Sequence, residues 1–234
     1  MPSLINRVQR PGPVPPRPEQ GEKMADYDAL KQAVIDGNAG RVKELTQQCL
    51  DEGKRPQEVL DAALIPAMDV VGEKFTNQEF YIPEMLIAAR AMQGGLALLK
   101  PLLAAGESKA RGKAVIGTVK GDLHDIGKNL VGMMLQGGGF EVVDLGADVK
   151  PQRFVEAVRV EKPDFLMMSA LLTTTMLSMK ETVAALKAAG LRGGVRIGVG
   201  GAPVTQRFAE EVGADFYAQD ATGAVNRAKE LIVA

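Results

Sequence analysis

The chain has 234 residues, which is enough for one or two domains with sizeable cores. Its 28 basic and 29 acidic side chains nearly cancel and only 4% of its residues are aromatic, so neither nucleic acid nor a membrane surface is expected as a partner. Cys49 is the only cysteine, which excludes an internal disulfide and a cysteine-rich zinc or iron–sulfur site and favours a cytoplasmic location.

The first 23 residues differ in composition from the rest of the chain. The prolines between Pro11 and Pro18 are incompatible with a helix or a central strand, so residues 1–23 are predicted to be a disordered leader. No apolar segment follows the early basic residues, so a secretory signal is not expected. Two explanations of this segment stay open: Met24 as an alternative start, and a leader that is foreign to the native protein. No apolar run in the chain approaches the length of a membrane span.

Residues 24–103 have the apolar spacing of a small helical bundle. Four helices with short connections are predicted: from Asp26 through Ile35, from Arg41 to Leu50, from Pro56 through Val71, and from Pro83 to about Leu103. Pro66 lies inside the third helix, where its missing N–H predicts a kink or a boundary. Residues 104–111 are predicted to be a linker.

Residues 112–234 alternate short apolar runs with amphipathic stretches, which indicates an α/β domain. Strands are predicted at 114–119, 141–145, 164–169, 195–199 and 216–218, and helices at 125–136, 152–160, 175–189, 206–212 and 222–232. This alternation favours a five-stranded parallel sheet of the flavodoxin-like, Rossmann type, with strand order 2-1-3-4-5. Such sheets bind ligands at the carboxyl ends of their strands.

Unusual residues follow four of the predicted strands. His124, the only histidine, comes after the first strand, the run 169–175 after the third, Gly200-Gly201 after the fourth and residues 220–222 after the fifth. All four loops belong to the ligand-binding edge, so they are expected to form one site. Simpler roles remain open: one of Thr173 and Thr174 is expected to cap the following helix, the glycines can serve only the turn, and the methionines are expected in the core.

The composition of these loops disfavours two kinds of site. Ser169, His124 and Asp122 include the side chains of a catalytic triad, but the serine lacks the flanking glycines of a nucleophile elbow. No glycine-rich phosphate-binding motif follows any strand, which disfavours a nucleotide site. One imidazole cannot build a multi-histidine metal cage, but it can ligate a metal that arrives with its other ligands attached.

The loop motifs together resemble the cobalamin-binding domains of the methionine synthase type. Asp122-x-His124-x-x-Gly127, then Ser169-x-Leu171, then Gly200-Gly201 carry the resemblance. The helical region adds a second match, because Val71-Gly72-Glu73-Lys74-Phe75 and Tyr81-Ile82-Pro83-Glu84-Met85 resemble the methyl-cap domain of those proteins. The chain is similar, from Asp26 to its end, to free-standing corrinoid proteins of methyltransferase systems, and is most similar to the methylamine and methanol types.

The resemblance implies a cofactor and a set of site residues. Cobalamin or a related corrinoid, as methylcobalamin or cob(I)alamin, would be bound with His124 as the axial ligand of cobalt, and Asp122 and Thr175 would complete the axial-ligand network. The expected cofactor-binding residues also include Gly121, Leu123, Asp125, Gly127, Ser169, Leu171, Thr173, Gly200, Gly201 and Ala221, with Glu73, Tyr81 and Met85 from the cap. Tyr81 and Met85 share a helix face if the helix begins by Tyr81.

The implied function is that of a methyl carrier, one component of an enzyme system and not an enzyme alone. A substrate-specific methyltransferase for methylamines, methanol, glycine betaine or methoxyaromatics would load the methyl group. A second methyltransferase would pass it to tetrahydrofolate or a thiol, and a reductive activating protein would restore the cofactor. Two alternatives stay open: a cobalamin-binding subunit of an adenosylcobalamin mutase, and a cobalamin-dependent sensor.

Overall fold

The computed structural model describes residues 26–105 and 110–233. The predicted leader at 1–23 lies outside the described residues, as do positions 106–109 of the predicted linker. Of the described residues, those from 26 to 105 form helices and their connections, and the first described strand begins at Lys113.

Four helical rods form the bundle, as the apolar spacing predicts. Their bounds are α1 Tyr27–Ile35, α2 Ala39–Asp51, a continuous third rod made of α3 Pro56–Val59, a π-helical turn Leu60–Leu64 and α4 Ile65–Thr76, and α5 Ile82–Ala105. The carboxylate of Asp26 accepts the first free N–H groups of α1, and the side chain of Asn38 does the same for α2. Side-chain caps therefore set where these two helices begin.

Pro66 does not break the third rod. The chain widens into the π-helical turn Leu60–Leu64 just before the proline and continues as α4 beyond it. A proline has no N–H to donate and its ring crowds the preceding turn, so a wider turn relieves both constraints without ending the helix. The predicted irregularity is present, but as a change of helical pitch and not as a boundary.

The long helix α5 lies in the core of the bundle. Met85, Ala88, Met92 and Leu99 are buried along one face, which packs mainly against α2. By length and composition alone, Ile82–Leu103 is apolar enough to cross a membrane, so the expectation that no apolar run reaches that length is wrong. This is weak evidence for a membrane span, because a core helix with a buried face meets the same criterion.

The second half of the described chain is a five-stranded parallel sheet in the order β2-β1-β3-β4-β5, as predicted. The strands are β1 Lys113–Thr118, β2 Glu141–Asp144, β3 Phe165–Ser169, β4 Arg196–Gly200 and β5 Phe216–Ala218. The helices are α6 Ile126–Gly137, α7 Pro151–Glu161, α8 Leu177–Ala188, α9 Gln206–Val212 and α10 Ala221–Val233. The predicted fold class is confirmed.

Alternate side chains of the strands enter two separate cores. Val115, Leu166 and Met168 pack under α7, α8 and α9, whereas Ile116 and Met167 face α6 and α10. The core on the α6 and α10 side continues into the helical bundle. The bundle therefore packs on the side of the sheet domain formed by α6 and α10, whereas α7, α8 and α9 cover the opposite face of the sheet.

Glycine allows close packing where the bundle meets that layer. A β-carbon on Gly137 of α6 would lie 2.8 Å from Cγ of Met68, and one on Gly72 of α4 would lie 3.1 Å from Cγ2 of Thr222. Thr222 belongs to the first turn of α10, directly after the carboxyl end of β5. The end of α4 is thus placed beside the edge of the sheet where the predicted site lies.

Candidate functional site

The carboxyl ends of four strands lie side by side in one row. Thr118 of β1 pairs in register with Ser169 of β3, which pairs with Gly200 of β4, which pairs with Ala218 of β5. In a parallel sheet residues in register point to the same face, here the face of α6 and α10. The loops that carry the predicted site residues therefore leave the sheet at one edge.

His124 lies in the loop between β1 and α6, half-exposed and held from one side. Its Nδ1 lies 2.8 Å from Oδ1 of Asp122, and its side chain is 53% exposed. The backbone N–H of His124 donates to the same oxygen at 3.0 Å, and the hydroxyl of Thr118 donates to the carbonyl of His124 at 3.2 Å. With Nδ1 engaged, Nε2 on the opposite edge of the ring is left for a ligand.

Asp122 is completely buried at the centre of this loop. Its Oδ2 accepts from Leu171 N at 2.7 Å, Leu172 N at 3.2 Å and Thr175 Oγ1 at 2.7 Å. Burial by itself raises the pKa of this carboxyl, but the hydrogen bonds from Thr175, Leu171 and His124 outweigh burial and hold the pKa far below its usual range. These hydrogen bonds thus favour the ionised carboxylate next to the imidazole.

Thr175 has two acceptors for a single hydroxyl proton. Its Oγ1 lies 2.7 Å from Oδ2 of Asp122 and 2.8 Å from the carbonyl of Leu172. A hydroxyl donates one hydrogen bond, so both acceptors compete for the same proton. The side chain is buried, and it ties the loop after β3 to the loop that bears the histidine.

The threonines that precede Thr175 do not cap the next helix. α8 begins at Leu177 with Met176 at its N-cap position, and that position makes no side-chain hydrogen bond to the helix. Thr173 and Thr174 are both exposed. The expectation that one of them caps this helix is wrong, because the chain makes a further turn after them before the helix starts.

Gly201 allows the loops after β3 and β4 to touch. It adopts φ +117°, and a β-carbon there would lie 1.9 Å from the carbonyl oxygen of Ala170. At Gly200 the same substitution would place a β-carbon 2.9 Å from the carbonyl of Ala218. Only glycine is compatible with the backbone at Gly201.

The remaining predicted site residues differ in exposure. Gly121, Leu123 and Gly127 are exposed around the histidine loop, and Asp125 is partly buried. Leu171 is 43% exposed, Ser169 is partly buried, and Ala221 is buried at the start of α10. These residues belong to the same edge of the sheet, whereas the predicted cap residues belong to the bundle.

The predicted cap residues do not share one face. α5 begins at Ile82, one residue later than a shared face requires, and the backbone N–H of Tyr81 donates to Oε2 of Glu84 at 2.9 Å. Tyr81 is 64% exposed, while Met85 is completely buried in the bundle. Glu73 is exposed on α4. Met85 therefore packs as core in this arrangement, and Tyr81 and Glu73 remain at the surface.

Two charged residues near the histidine loop were missed by sequence reasoning. Lys128 has a side chain only 1% exposed, and its ammonium donates to Asn129 Oδ1 at 2.6 Å and to Asp144 Oδ2 at 2.5 Å. Asp148, after β2, accepts the N–H of Gly121 at 2.7 Å. Lys128 directly follows Gly127 of the histidine motif, and this position could have marked it as part of the site. No local sequence pattern distinguishes Asp148.

Comparison with known proteins identifies the family. Two family profiles, each described as a B12 binding domain, match residues 112–226 and 27–100. A corrinoid protein from Desulfitobacterium hafniense is 41% identical over 212 residues, which cover 89% of this chain and 98% of that protein. The chain belongs to the corrinoid proteins. The resemblance of its histidine motif and helical region to that family is confirmed.

Other members of the corrinoid protein family give the same result. A dimethylamine corrinoid protein from Methanosarcina acetivorans is 40% identical over 213 residues, covering 90% of this chain and 100% of that protein. The structure of the methanol:cobalamin methyltransferase complex from Methanosarcina barkeri matches with a TM-score of 0.81 at 32% identity, covering 91% of this chain and 81% of that one. The similarity therefore spans both the bundle and the sheet domain.

The residues present suit a corrinoid. Within residues 26–105 and 110–233 no group of three or more histidine, cysteine or acidic side chains is placed to hold a metal ion. A lone imidazole suits a metal whose equatorial ligands come with a macrocycle. Leu123 and Ile126, on either side of His124 in the sequence, are each 75% exposed, and Leu171 and Leu172 of the neighbouring loop are each 43% exposed. Such an apolar surface suits the flat, largely apolar face of a macrocycle.

Proposed function

We propose that the chain is a methyl-carrying corrinoid protein of a methyltransferase system of the methylamine or methanol class. The observation that carries the proposal is the half-exposed imidazole of His124, held through Nδ1 by the buried carboxylate of Asp122 at the ligand-binding edge of the sheet. The match to B12 binding domains in both regions supports the cofactor. The dimethylamine and methanol proteins among the relatives support the substrate class.

When bound, the corrinoid supplies a cobalt centre that takes up a methyl group and gives it away. His124 would hold the cobalt through Nε2, the ring nitrogen that is not engaged by Asp122. Asp122 holds the ring in one orientation and raises the basicity of the ligating nitrogen, which is the usual role of a carboxylate behind a metal-bound histidine. Because Asp122 is buried and its other oxygen accepts three hydrogen bonds, the carboxylate holds the ring from a fixed position.

The sheet edge is the proposed place of the nucleotide tail of the corrinoid. Ser169 and Gly200 lie in register at the ends of adjacent strands, and Gly201 brings the two following loops together. The absence of side chains at these glycines lets a ligand approach the backbone. We assign the tail to this side of the site, next to Thr173 and Ala221, and assign the macrocycle to the apolar surface around His124.

The bundle is proposed as the cover of the methyl group. Gly72 of α4 lies against Thr222 in the first turn of α10, so Glu73, the next residue, is placed near the sheet edge. Tyr81 follows on the same end of the bundle and is exposed. A cover that excludes water protects a reactive group, and it must move aside when a partner enzyme reaches the cofactor.

The partners follow from the carrier role. One methyltransferase loads the methyl group from its substrate, a second transfers it to tetrahydrofolate or a thiol, and a reductive activating protein restores the cofactor. The methanol:cobalamin methyltransferase complex, in which a similar chain occurs, supports the first of these partners. The matched bundle at 27–100 favours a carrier over a mutase subunit, which would need the sheet domain alone.

Reconstitution tests the proposal directly. The purified chain is incubated with hydroxocobalamin, passed through gel filtration and examined by visible spectroscopy. We expect cobalt–corrin absorbance to elute with the protein. His124→Ala should change the axial-ligand spectrum, whereas Lys120→Ala, an exposed change in the same loop, should leave it as in the wild type. Absence of bound corrinoid from the wild-type chain would refute the proposal.

A transfer assay tests the substrate class. Reconstituted and reduced chain is mixed with a methylamine:corrinoid methyltransferase and methylamine, and the methylated cofactor is followed by its visible spectrum. We expect methylation that requires both proteins, and much slower methylation with His124→Ala. If only methanol with its own methyltransferase methylates the chain, the carrier role stands and the methylamine assignment fails.

A further inference from the structure

A second hydrogen-bonded contact holds the histidine loop, and it comes from the loop after β2. The main chains of Val119 and Val149 form a bridge, which brings the loop after β2 against the loop after β1. There, Oδ1 of Asp148 accepts the N–H of Gly121 at 2.7 Å, and the N–H of Asp148 donates to the carbonyl of Asp122 at 3.0 Å. The two residues before Leu123 are thus fixed by one partner.

The backbone of Asp148 is held in a conformation that few residues favour. Its φ is +52°, in the left-handed region, and Gly121 opposite it has φ +83°. Asp and Asn enter this region more readily than other residues that carry a β-carbon. Their short side chains also reach neighbouring N–H groups. Position 148 therefore combines a backbone requirement with an acceptor requirement, and aspartate meets both.

The contact acts on the imidazole through Asp122. The carboxylate of Asp122 fixes the ring of His124 through Nδ1, while the carbonyl of Asp122 is fixed by Asp148. Any shift of the Gly121–Asp122 main chain therefore moves the carboxylate and the ring together. Asp148 itself is exposed, and its hydrogen bonds in this loop go to the main chain of Gly121 and Asp122, so its influence is on position and not on chemistry.

We propose that Asp148 is a positioning residue for His124, holding the Gly121–Asp122 main chain so that Nε2 meets the cofactor at a fixed place. The proposal rests on the proposed corrinoid function for its consequence, but the hydrogen bonds exist in the chain without a ligand. If Asp148 were only a turn residue, its loss would lower stability without changing the ring.

Three variants and one control separate these roles. Asp148→Asn keeps an acceptor and tolerates the left-handed backbone, Asp148→Gly keeps only the backbone freedom, and Asp148→Ala loses both. Lys162→Ala is the matched control: Lys162 follows α7 with φ +45° and is left-handed, but it lies at the opposite end of that helix from the site. It imposes similar backbone strain without touching the histidine loop.

The first measurement uses the protein without a corrinoid. Amide hydrogen exchange at Gly121 should accelerate about tenfold or more in Asp148→Ala and Asp148→Gly, and change little in Asp148→Asn and Lys162→Ala. Because the chain has one histidine, the ring C–H signals in an NMR spectrum identify themselves as His124. These signals should shift only in the Ala and Gly variants at position 148. Unchanged exchange and unchanged ring signals in Asp148→Ala would overturn the proposal.

The second measurement uses chain loaded with hydroxocobalamin and reduced to Co(II). Electron paramagnetic resonance reports the nitrogen-coordinated fraction from the splitting by the axial nitrogen. We expect this fraction to fall in Asp148→Ala and Asp148→Gly and to be restored in Asp148→Asn. Equal fractions in all variants would refute the positioning role. If the wild type binds no corrinoid, the proposed function fails, while the exchange and ring signals still decide whether Asp148 positions His124.

Discussion

Replacement of Asp122 by alanine is the most informative single change, because so many donors depend on one buried carboxylate. The change leaves the backbone N–H groups of Leu171, Leu172 and His124 without their acceptor. Each unpaired donor costs about 1–3 kcal/mol, and the lower value applies because these groups are partly buried and water can reach them. The Thr175 hydroxyl retains the carbonyl of Leu172. We therefore expect a loss of about 3 kcal/mol in the free energy of unfolding.

Urea unfolding of the ligand-free chain, followed by far-ultraviolet circular dichroism, measures this loss. Asp125→Ala is the control, since Asp125 lies in the same loop and its side chain makes no capping hydrogen bond to α6. It should change the free energy of unfolding by less than about 0.5 kcal/mol. A loss below about 1 kcal/mol for Asp122→Ala would refute the account of the carboxylate as the centre of the loop.

The same carboxylate predicts a dependence on pH. The pKa of Asp122 is lower in the folded chain than in the unfolded chain, so its contribution is complete above the unfolded value of about 3.9 and is lost as the pH falls below it. The stability gap between wild type and Asp122→Asn should therefore narrow on acidification, by at most about 1.4 kcal/mol per pH unit. A gap that stays constant below about pH 4 would contradict the depressed pKa.

Four other substitutions have outcomes set by local geometry. Gly201→Ala should cost about 3 kcal/mol or more in urea unfolding, because the new β-carbon would collide with the carbonyl of Ala170. Asp144→Ala should cost about 3 kcal/mol, and more than Lys128→Met, because it leaves a buried ammonium poorly paired whereas methionine fills the same space. Burial raises the pKa of Tyr27 to about 12, so Tyr27→Phe should remove the latest step in an ultraviolet tyrosine titration.

Each of these expectations has a control. Gly193→Ala adds a β-carbon where no atom lies within 4 Å, so its free energy of unfolding should match the wild type. Equal losses for Lys128→Met and Asp144→Ala would contradict the buried-charge argument. The hydroxyl of Tyr27 donates to Glu58 Oε1 at 2.9 Å, and the charge of Glu58 adds to the raised pKa of Tyr27. Glu58→Gln should therefore lower the pKa of Tyr27. The raised tyrosine pKa also predicts that stability falls as the pH rises above about 10.

Most elements were predictable because their signals are local. Apolar spacing placed the helices and strands, and the helix Gln206–Val212 and the strand Phe216–Ala218 occur at the predicted residues. Alternation of strands and helices was enough to predict the sheet order, since right-handed crossovers leave few topologies. Two expectations failed for local reasons. The chain turns once more after Thr174 before α8 begins, so neither Thr173 nor Thr174 caps that helix. Tyr81 precedes α5, so its spacing from Met85 does not place the two side chains on one helix face.

The sequence by itself determined the class of fold, the edge of the sheet where the loops meet and the single imidazole among them. These depend on patterns within a few residues and on the geometry common to all parallel sheets. Tertiary structure decided that Asp122 is buried and ionised, because its partners Leu171 and Thr175 lie 49 and 53 residues away. It also placed Asp148, 27 residues away in the sequence, where its carboxylate accepts the N–H of Gly121 in the histidine loop. Hydrogen bonds between distant segments leave no periodic trace in a sequence, so only the folded chain shows how the histidine is held.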